Sequence, residues 1–494
     1  MLFNSYEFIF FFLPIVLTVF FAIGRSGYFA TAMAWLVLAS LFFYAWWNPA
    51  YLGLMITSIL FNYAIGQTLS HHVQHPHIRK GTLTLGVILN LGLLAYFKYA
   101  NFFIDNANHI FNTHLDIGTI LLPLAISFFT FQQIAYLIDV SRGETKEYNF
   151  LHYCLFVTFF PQLIAGPIVH HKEMMPQFAK KSIYRLKYSN LAIGLSIFAV
   201  GLFKKVVLAD GIAIYASPVF DSAAGGIAPG FADAWVGALS YTLQLYFDFS
   251  GYCDMAIGVA RMFGIRLPLN FHSPYKATNI IDFWRRWHMT LSRFLRDYLY
   301  FPLGGNRKGT TRRYINLIIT MVLGGLWHGA GWTFILWGAL HGFFLMVNHA
   351  WHAVRKFLQH DLSQPSHIGT IISRLITFLA VIVAWVFFRA EDLAAALLML
   401  QGMCGLHASN MTMPTESLSY IVALLAIIWF APNTQEWLSR YRPAFDYPNN
   451  EQVTLPRWVP VWRASRSIAV LMACTAFISI LYLTRDSEFL YFNF

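Results

Sequence analysis

Three histidines stand in stretches too apolar to need them for solubility: His288 in FWRRWHMTLS, His328 in GGLWHGAGW and His341 in WGALHGF. An ionisable group in such a stretch is costly and marks a functional candidate. Imidazole accepts and returns a proton near neutral pH, so the chemistry implied is general acid–base catalysis. Gly324, Gly325 and Gly329 flank His328 closely enough for backbone or substrate to approach it. A histidine that only bridges two helices by a hydrogen bond explains the same local features equally well. On one straight helix His328 and His341 would be about 20 Å apart. They share a small site only if the glycine break folds the chain back between them.

His288 is flanked by Trp284, Arg285, Arg286 and Trp287. It either faces a cavity, with the arginines holding an anionic donor, or belongs to a basic interfacial helix snorkelling to headgroups. Asp248 and Asp254, in QLYFDFSGYCDMAIG, are expected to have a structural role: they cap or brace a bent helix, or pair with Arg261 or Arg266. The tract His71, His72, His75 and His77 reads as a solvated loop, because no carboxylate or cysteine completes a metal site. No P-loop, GxGxxG, HExxH or GxSxG motif is present.

The elements that hold these residues are membrane helices. Apolar residues make up 57% of the 494 and charged residues 12%, half of the roughly 25% that a water-facing surface demands. Aromatics reach 18%, as expected where rings collect at bilayer interfaces. The net charge of +11 sits in short loops between apolar runs, which points to cytoplasmic loops and anionic headgroups, with no nucleic-acid partner. The four cysteines, Cys154, Cys253, Cys404 and Cys474, read as buried thiols. Residues 1–24 read as a first transmembrane helix rather than a cleavable signal, since a basic leader is missing.

Apolar runs of spanning length predict about ten to thirteen membrane segments, all helical. Two stretches depart from plain spans. Residues 282–300 are amphipathic and suit an interfacial helix. Residues 315–350 would reach about 54 Å as one helix, so a break is expected at Gly324–Gly331. The basic segments 172–187 and 285–313 belong to the cytoplasmic side, and 101–119, which lacks Lys and Arg, to the opposite one.

The motifs PQLIAGPIVHHKEMMPQF (161–178), YFDFSGYCDMAIG (246–258), DFWRRWHMTLSRFLRDYLYFPLGGNR (282–307) and GGLWHGAGWTFILWGALHG (324–342) resemble the membrane-bound O-acyltransferase (MBOAT) superfamily. Within it they are similar to the bacterial alginate O-acetyltransferase branch, with peptidoglycan acetylation and teichoic-acid D-alanylation proteins as cousins. FFYAWWNPAYL (42–52), FKYANFF (97–103) and LPLAISFFTFQQIAYLIDVSRGE (122–144) match as well. The resemblance covers most of the chain. It implies one all-α polytopic domain over 1–494: about eleven transmembrane helices plus re-entrant or interfacial ones around a central funnel. The catalytic core would lie at about 120–345, with an aromatic tail at 489–494.

By the same resemblance, the catalytic histidine falls on His328 and the second polar position on His288. His341 matches a further histidine of the branch, and Tyr491 in the tail would carry the acyl group as a relay, although the residues of the tail by themselves read as an interfacial aromatic anchor. Arg285 and Arg286, with Trp284, Trp287 and Trp327, would line the donor and substrate sites. The donor would be acetyl-CoA or another cytoplasmic acyl thioester, with no bound cofactor or metal. The acceptor would be a cell-envelope or exported polysaccharide (alginate-like, cellulose or peptidoglycan), reached through a periplasmic SGNH-type transferase from the bacterial inner membrane. The rival reading is a non-catalytic transporter or scaffold that hands acyl groups to that transferase.

Overall fold

The computed structural model describes residues 1–145, 147, 149–359, 366–408, 414–445, 459, 461–485 and 490. The described residues form helices and loops, with no strand among them. In lipid a helix satisfies its own backbone polar groups, which is why apolar runs this long fold this way. Six helical stretches are long and apolar enough to cross a membrane: Glu7–Arg25, Ala50–His71, Pro76–Phe111, Tyr188–Ala224, Trp332–Phe357 and His367–Arg389. Four shorter apolar helices accompany them: Phe29–Ala45, Leu393–Met403, Thr415–Phe430 and Arg466–Leu481.

At the centre lies the helix Phe231–Met262, buried along most of its length. It crosses Tyr188–Phe203 where Gly201 meets Gly251. A Cβ on Gly201 would fall 2.6 Å from the Gly251 carbonyl oxygen. Lipid tails give helices no hydrophobic reason to associate, so such close small-residue crossings carry the packing.

Asp248 and Asp254 are braced on this helix by lysines, not by Arg261 or Arg266. Lys205 Nζ stands 2.6 Å from Asp248 and 2.8 Å from Asp210, and Lys204 Nζ is 2.7 Å from Asp254. The reason is a widened turn, Lys204–Ala209, on the neighbouring helix, which turns both ammonium groups toward it. Arg261 lies two turns beyond Asp254 on the same helix, about 10 Å along the axis. The cysteines also divide: Cys154 and Cys253 are buried, but Cys404 and Cys474 are exposed. Cys474 lies on the apolar helix Arg466–Leu481, where lipid would cover a thiol, and Cys404 lies in the turn that follows Leu393–Met403. Among the described residues no cluster of His, Cys, Asp or Glu could hold a metal ion.

The two basic segments meet at one end of the bundle. Glu173 receives both guanidinium nitrogens of Arg293, at 2.7 and 3.1 Å. Glu147, at the same end, accepts from His171 at 3.0 Å. Burial would raise its pKa, but that bond and the Asn149 amide outweigh it and hold the carboxylate below its usual range. At the other end, Tyr51 Oη reaches the Leu121 carbonyl at 3.5 Å, joining the start of the helix Ala50–His71 to the segment before Ile126–Arg142.

Candidate active site

The expected break in 315–350 is present. One helix ends at His328, and the next begins at Trp332. Gly329 and Gly331 are fully extended, so the chain folds back and the two helices pack antiparallel. They touch through Gly325 and Gly338, where a Cβ would collide with the Phe334 and Met321 carbonyl oxygens respectively. His328 thereby occupies a helix C-terminus deep in the protein, 3% exposed.

The amphipathic stretch is not one helix. Ile280–Trp284 and Met289–Leu295 are separate, and His288 joins them in the left-handed region at φ 42°. A bulky residue is held there only when its surroundings insist, and such strain gathers at functional sites. The turn drives His288 inward to zero exposure, and its ring centre comes to 6.3 Å from that of His328.

Asn270 sets the protonation pattern of His288. Its Oδ1 accepts from the Thr290 backbone N–H at 3.3 Å and the Thr290 hydroxyl at 3.0 Å, so the amide is oriented with oxygen toward His288. His288 Nδ1 lies 3.0 Å from that oxygen and must donate to it. In the neutral ring Nε2 is therefore a bare lone pair, and it has no hydrogen-bond partner among the described residues. A buried acceptor without a partner costs free energy and calls for a ligand or a proton.

His341 has the opposite tautomer, because Trp284 Nε1 donates to its Nδ1 at 3.3 Å. Trp337 stands between the two histidines of the broken segment, with ring centres 5.2 Å from His328 and 4.8 Å from His341. His341 thus supports the site through Trp337. Trp287 packs among Phe283, Phe271 and Trp385, and Trp327 among Phe128, Phe131 and His328.

Two cavities approach from opposite ends. One, of about 510 Å³, is lined by Arg285, Arg293, Arg296, His349, Trp284 and Thr290 among others. It runs from the basic end to the residues that hold His288. The second, of about 390 Å³, is lined by Trp47, Asn48, Tyr51 and residues 121–128. Its floor includes Ser127 and Phe128, which touch Lys98 and Trp327 beside His328.

The arginines separate on inspection. Arg286 is committed to Asp282 at 2.8 Å and to the His272 carbonyl. Arg293 is committed to Glu173, and Arg296 to Asp297 at 2.7 Å. Arg285 is exposed to the cavity and pairs with no carboxylate among the described residues. Tyr491 lies outside the described residues. Leu490, just before it, is buried, and its backbone amide faces the Asp248 carboxylate. The next residue on that helix, Phe249, packs its ring 4.9 Å from His288.

Reasoning from sequence passed over Asn270 and Lys98. Asn270 gave no signal, for it sits in a loop with no periodicity. Lys98 did give one, as a lone cation inside an apolar run.

A buried imidazole pair, one ring of which keeps a bare nitrogen, suits proton transfer to and from a reacting group. The family model for MBOAT, the membrane-bound O-acyltransferase family, matches residues 141–390. The chain is 45% identical to a peptidoglycan O-acetyltransferase of Helicobacter pylori, over 100% of this chain and 98% of that protein. It is 44% identical to a probable alginate O-acetylase AlgI of Azotobacter vinelandii, over 80% of this chain and 76% of that one. A teichoic acid D-alanyltransferase of Bacillus subtilis matches at 30%, over 52% and 65%. This multi-pass, all-helical chain is an acyltransferase and belongs to the membrane-bound O-acyltransferase family.

Proposed function

We propose that the chain moves an acetyl group from a cytoplasmic thioester to a hydroxyl on the far side of the bacterial inner membrane, for O-acetylation of an envelope polysaccharide. The observation that carries this reading is the buried His288–His328 pair, 6.3 Å apart between ring centres, between one cavity that reaches Thr290 and another that reaches Phe128. Similarity to the peptidoglycan O-acetyltransferase along the whole chain favours peptidoglycan as the polymer.

In this reading the thioester enters from the basic end, where Arg285 pairs with its phosphate groups. An imidazole of the pair takes the acceptor hydroxyl's proton as that oxygen attacks the thioester carbonyl. The ester C–O bond forms, the C–S bond breaks, and the proton passes to the departing thiolate. Excluding water from this buried site keeps the thioester from hydrolysis. The acceptor is Tyr491 of the tail, whose neighbour Leu490 already lies inside the bundle beside the helix that packs on His288. A periplasmic SGNH-type transferase then passes the acetyl group to the polymer.

The test is base-labile acetate in purified sacculi from cells carrying His328→Ala, with the protein's membrane level checked by blot. Loss of acetate at normal protein level is expected. Full acetylation would return the chain to a scaffold or conduit without chemistry of its own.

A further inference from the structure

A helix of this length leaves its last carbonyls without partners of its own. In Gly309–His328 the carbonyl of Gly325 is taken by the Gly329 amide. The remaining three, on Leu326, Trp327 and His328, are all met by one neighbouring turn, Ala95–Tyr99. Tyr99 Oη donates to Leu326 O at 2.7 Å. Lys98 Nζ donates to Trp327 O and to His328 O, the latter at 3.0 Å, and reaches Ser127 Oγ at 3.4 Å. Among the described residues Lys98 has no carboxylate partner.

Tyr99 shows that a neutral hydroxyl is enough to cap a carbonyl here. An ammonium within a membrane span, in contrast, is costly. The charge therefore needs a reason of its own, and the direction of the helix supplies one. A helix C-terminus behaves as roughly half a negative charge, and this one points its negative end at the residues that do the chemistry. Attack of a hydroxyl on a thioester puts negative charge on the carbonyl oxygen. A bare helix end would oppose that charge.

We propose that Lys98 is a positioning residue for acyl transfer: its ammonium cancels the negative end of the helix carrying His328 and pins that helix end in register with His288. The proposal rests on the acyl-transfer reading above. Lys98 acts through the His328 backbone and takes no part in the bonds that form and break.

The experiment uses the full chain in proteoliposomes, with acetyl-coenzyme A as the donor probe and, as the readout, the first-turnover release of coenzyme A thiol as the acetyl group passes to the chain's own acceptor hydroxyl. Three variants separate charge from capping. Lys98→Met keeps the stem, Lys98→Gln keeps neutral N–H donors, and Lys98→Arg keeps the charge. Both neutral variants are expected to lose roughly thirtyfold or more in the first-turnover rate at saturating donor, with the donor concentration for half that rate within about twofold, while Lys98→Arg stays within about fivefold of the parent. Near-parental turnover by Lys98→Gln would overturn the proposal, since a neutral cap would then suffice. Neutral variants that no longer elute as a single folded species would overturn it too, assigning Lys98 to folding. His328→Ala in the same vesicles keeps the two readings apart. If it is active, acyl transfer through His328 is wrong whatever Lys98 does; if it is inactive while Lys98→Gln works, only the role of Lys98 falls.

Discussion

Asn270 Oδ1 and His288 Nδ1, 3.0 Å apart, fix which nitrogen of the second histidine is free to take a proton. The amide cannot turn round, because the Thr290 backbone N–H also donates to that oxygen. Removing the acceptor by Asn270→Ala would release the imidazole to both tautomers and to rotation. We expect acetyl transfer to fall by about ten- to a hundredfold, as when outer partners of an active-site histidine are lost. Transfer at the parental rate would show that the tautomer does not matter, and would move the base role wholly to His328.

The imidazole of His328 should be irreplaceable by a neutral hydrogen-bonding side chain. Glutamine donates and accepts but does not shuttle a proton near pH 7. His328→Gln is therefore expected to be as inactive as His328→Ala in the sacculus acetate measurement. Appreciable acetate with His328→Gln would make the ring a packing element.

Arg285 and Arg286, adjacent in sequence, should part in kinetics. Arg285→Gln is expected to raise the thioester concentration for half-maximal rate by about tenfold or more, the worth of a charge-assisted hydrogen bond. Arg286→Gln, whose charge is spent on Asp282, should leave that concentration within about twofold. A reversed pattern would place the donor's phosphates elsewhere.

Tyr491→Phe keeps the ring and removes only the hydroxyl. Under the relay it abolishes transfer to the polymer, and peptide mapping of the parent protein finds acetyl on Tyr491. Normal acetylation by Tyr491→Phe would leave the tail as an anchor, with the acetyl group passing straight to an outside acceptor.

The crossing behind His328 gives a stability prediction. Alanine is the better helix former by about 1 kcal/mol, yet Gly338→Ala puts a methyl against the Met321 carbonyl oxygen and its backbone. Overpacking of that kind costs about 1–3 kcal/mol, so the thermal midpoint in detergent should fall and activity with it. An unchanged midpoint would mean that the two helices separate freely at this point.

The fold class was legible from the chain, since a composition with 12% charged residues cannot cover itself with water. The hairpin at Gly329–Gly331 was legible too, because the 36 residues of 315–350 overrun a bilayer as one helix and glycine marks where they turn. Local charge assigns both basic segments to the same side, and Arg293 paired with Glu173 shows that the two segments touch. Other features depend on contacts between distant segments and have no local signature. The left-handed turn at His288 divides what periodicity reads as one helix, and only packing from several sides holds it. Lysines replace the expected arginines beside Asp248 and Asp254 because a widened turn in another helix rotates them inward. Asn270 and Lys98 lie 18 and 230 positions from the histidines they serve. A bond between remote residues is decided by how helices cross, and one chain's residue types carry no record of that crossing.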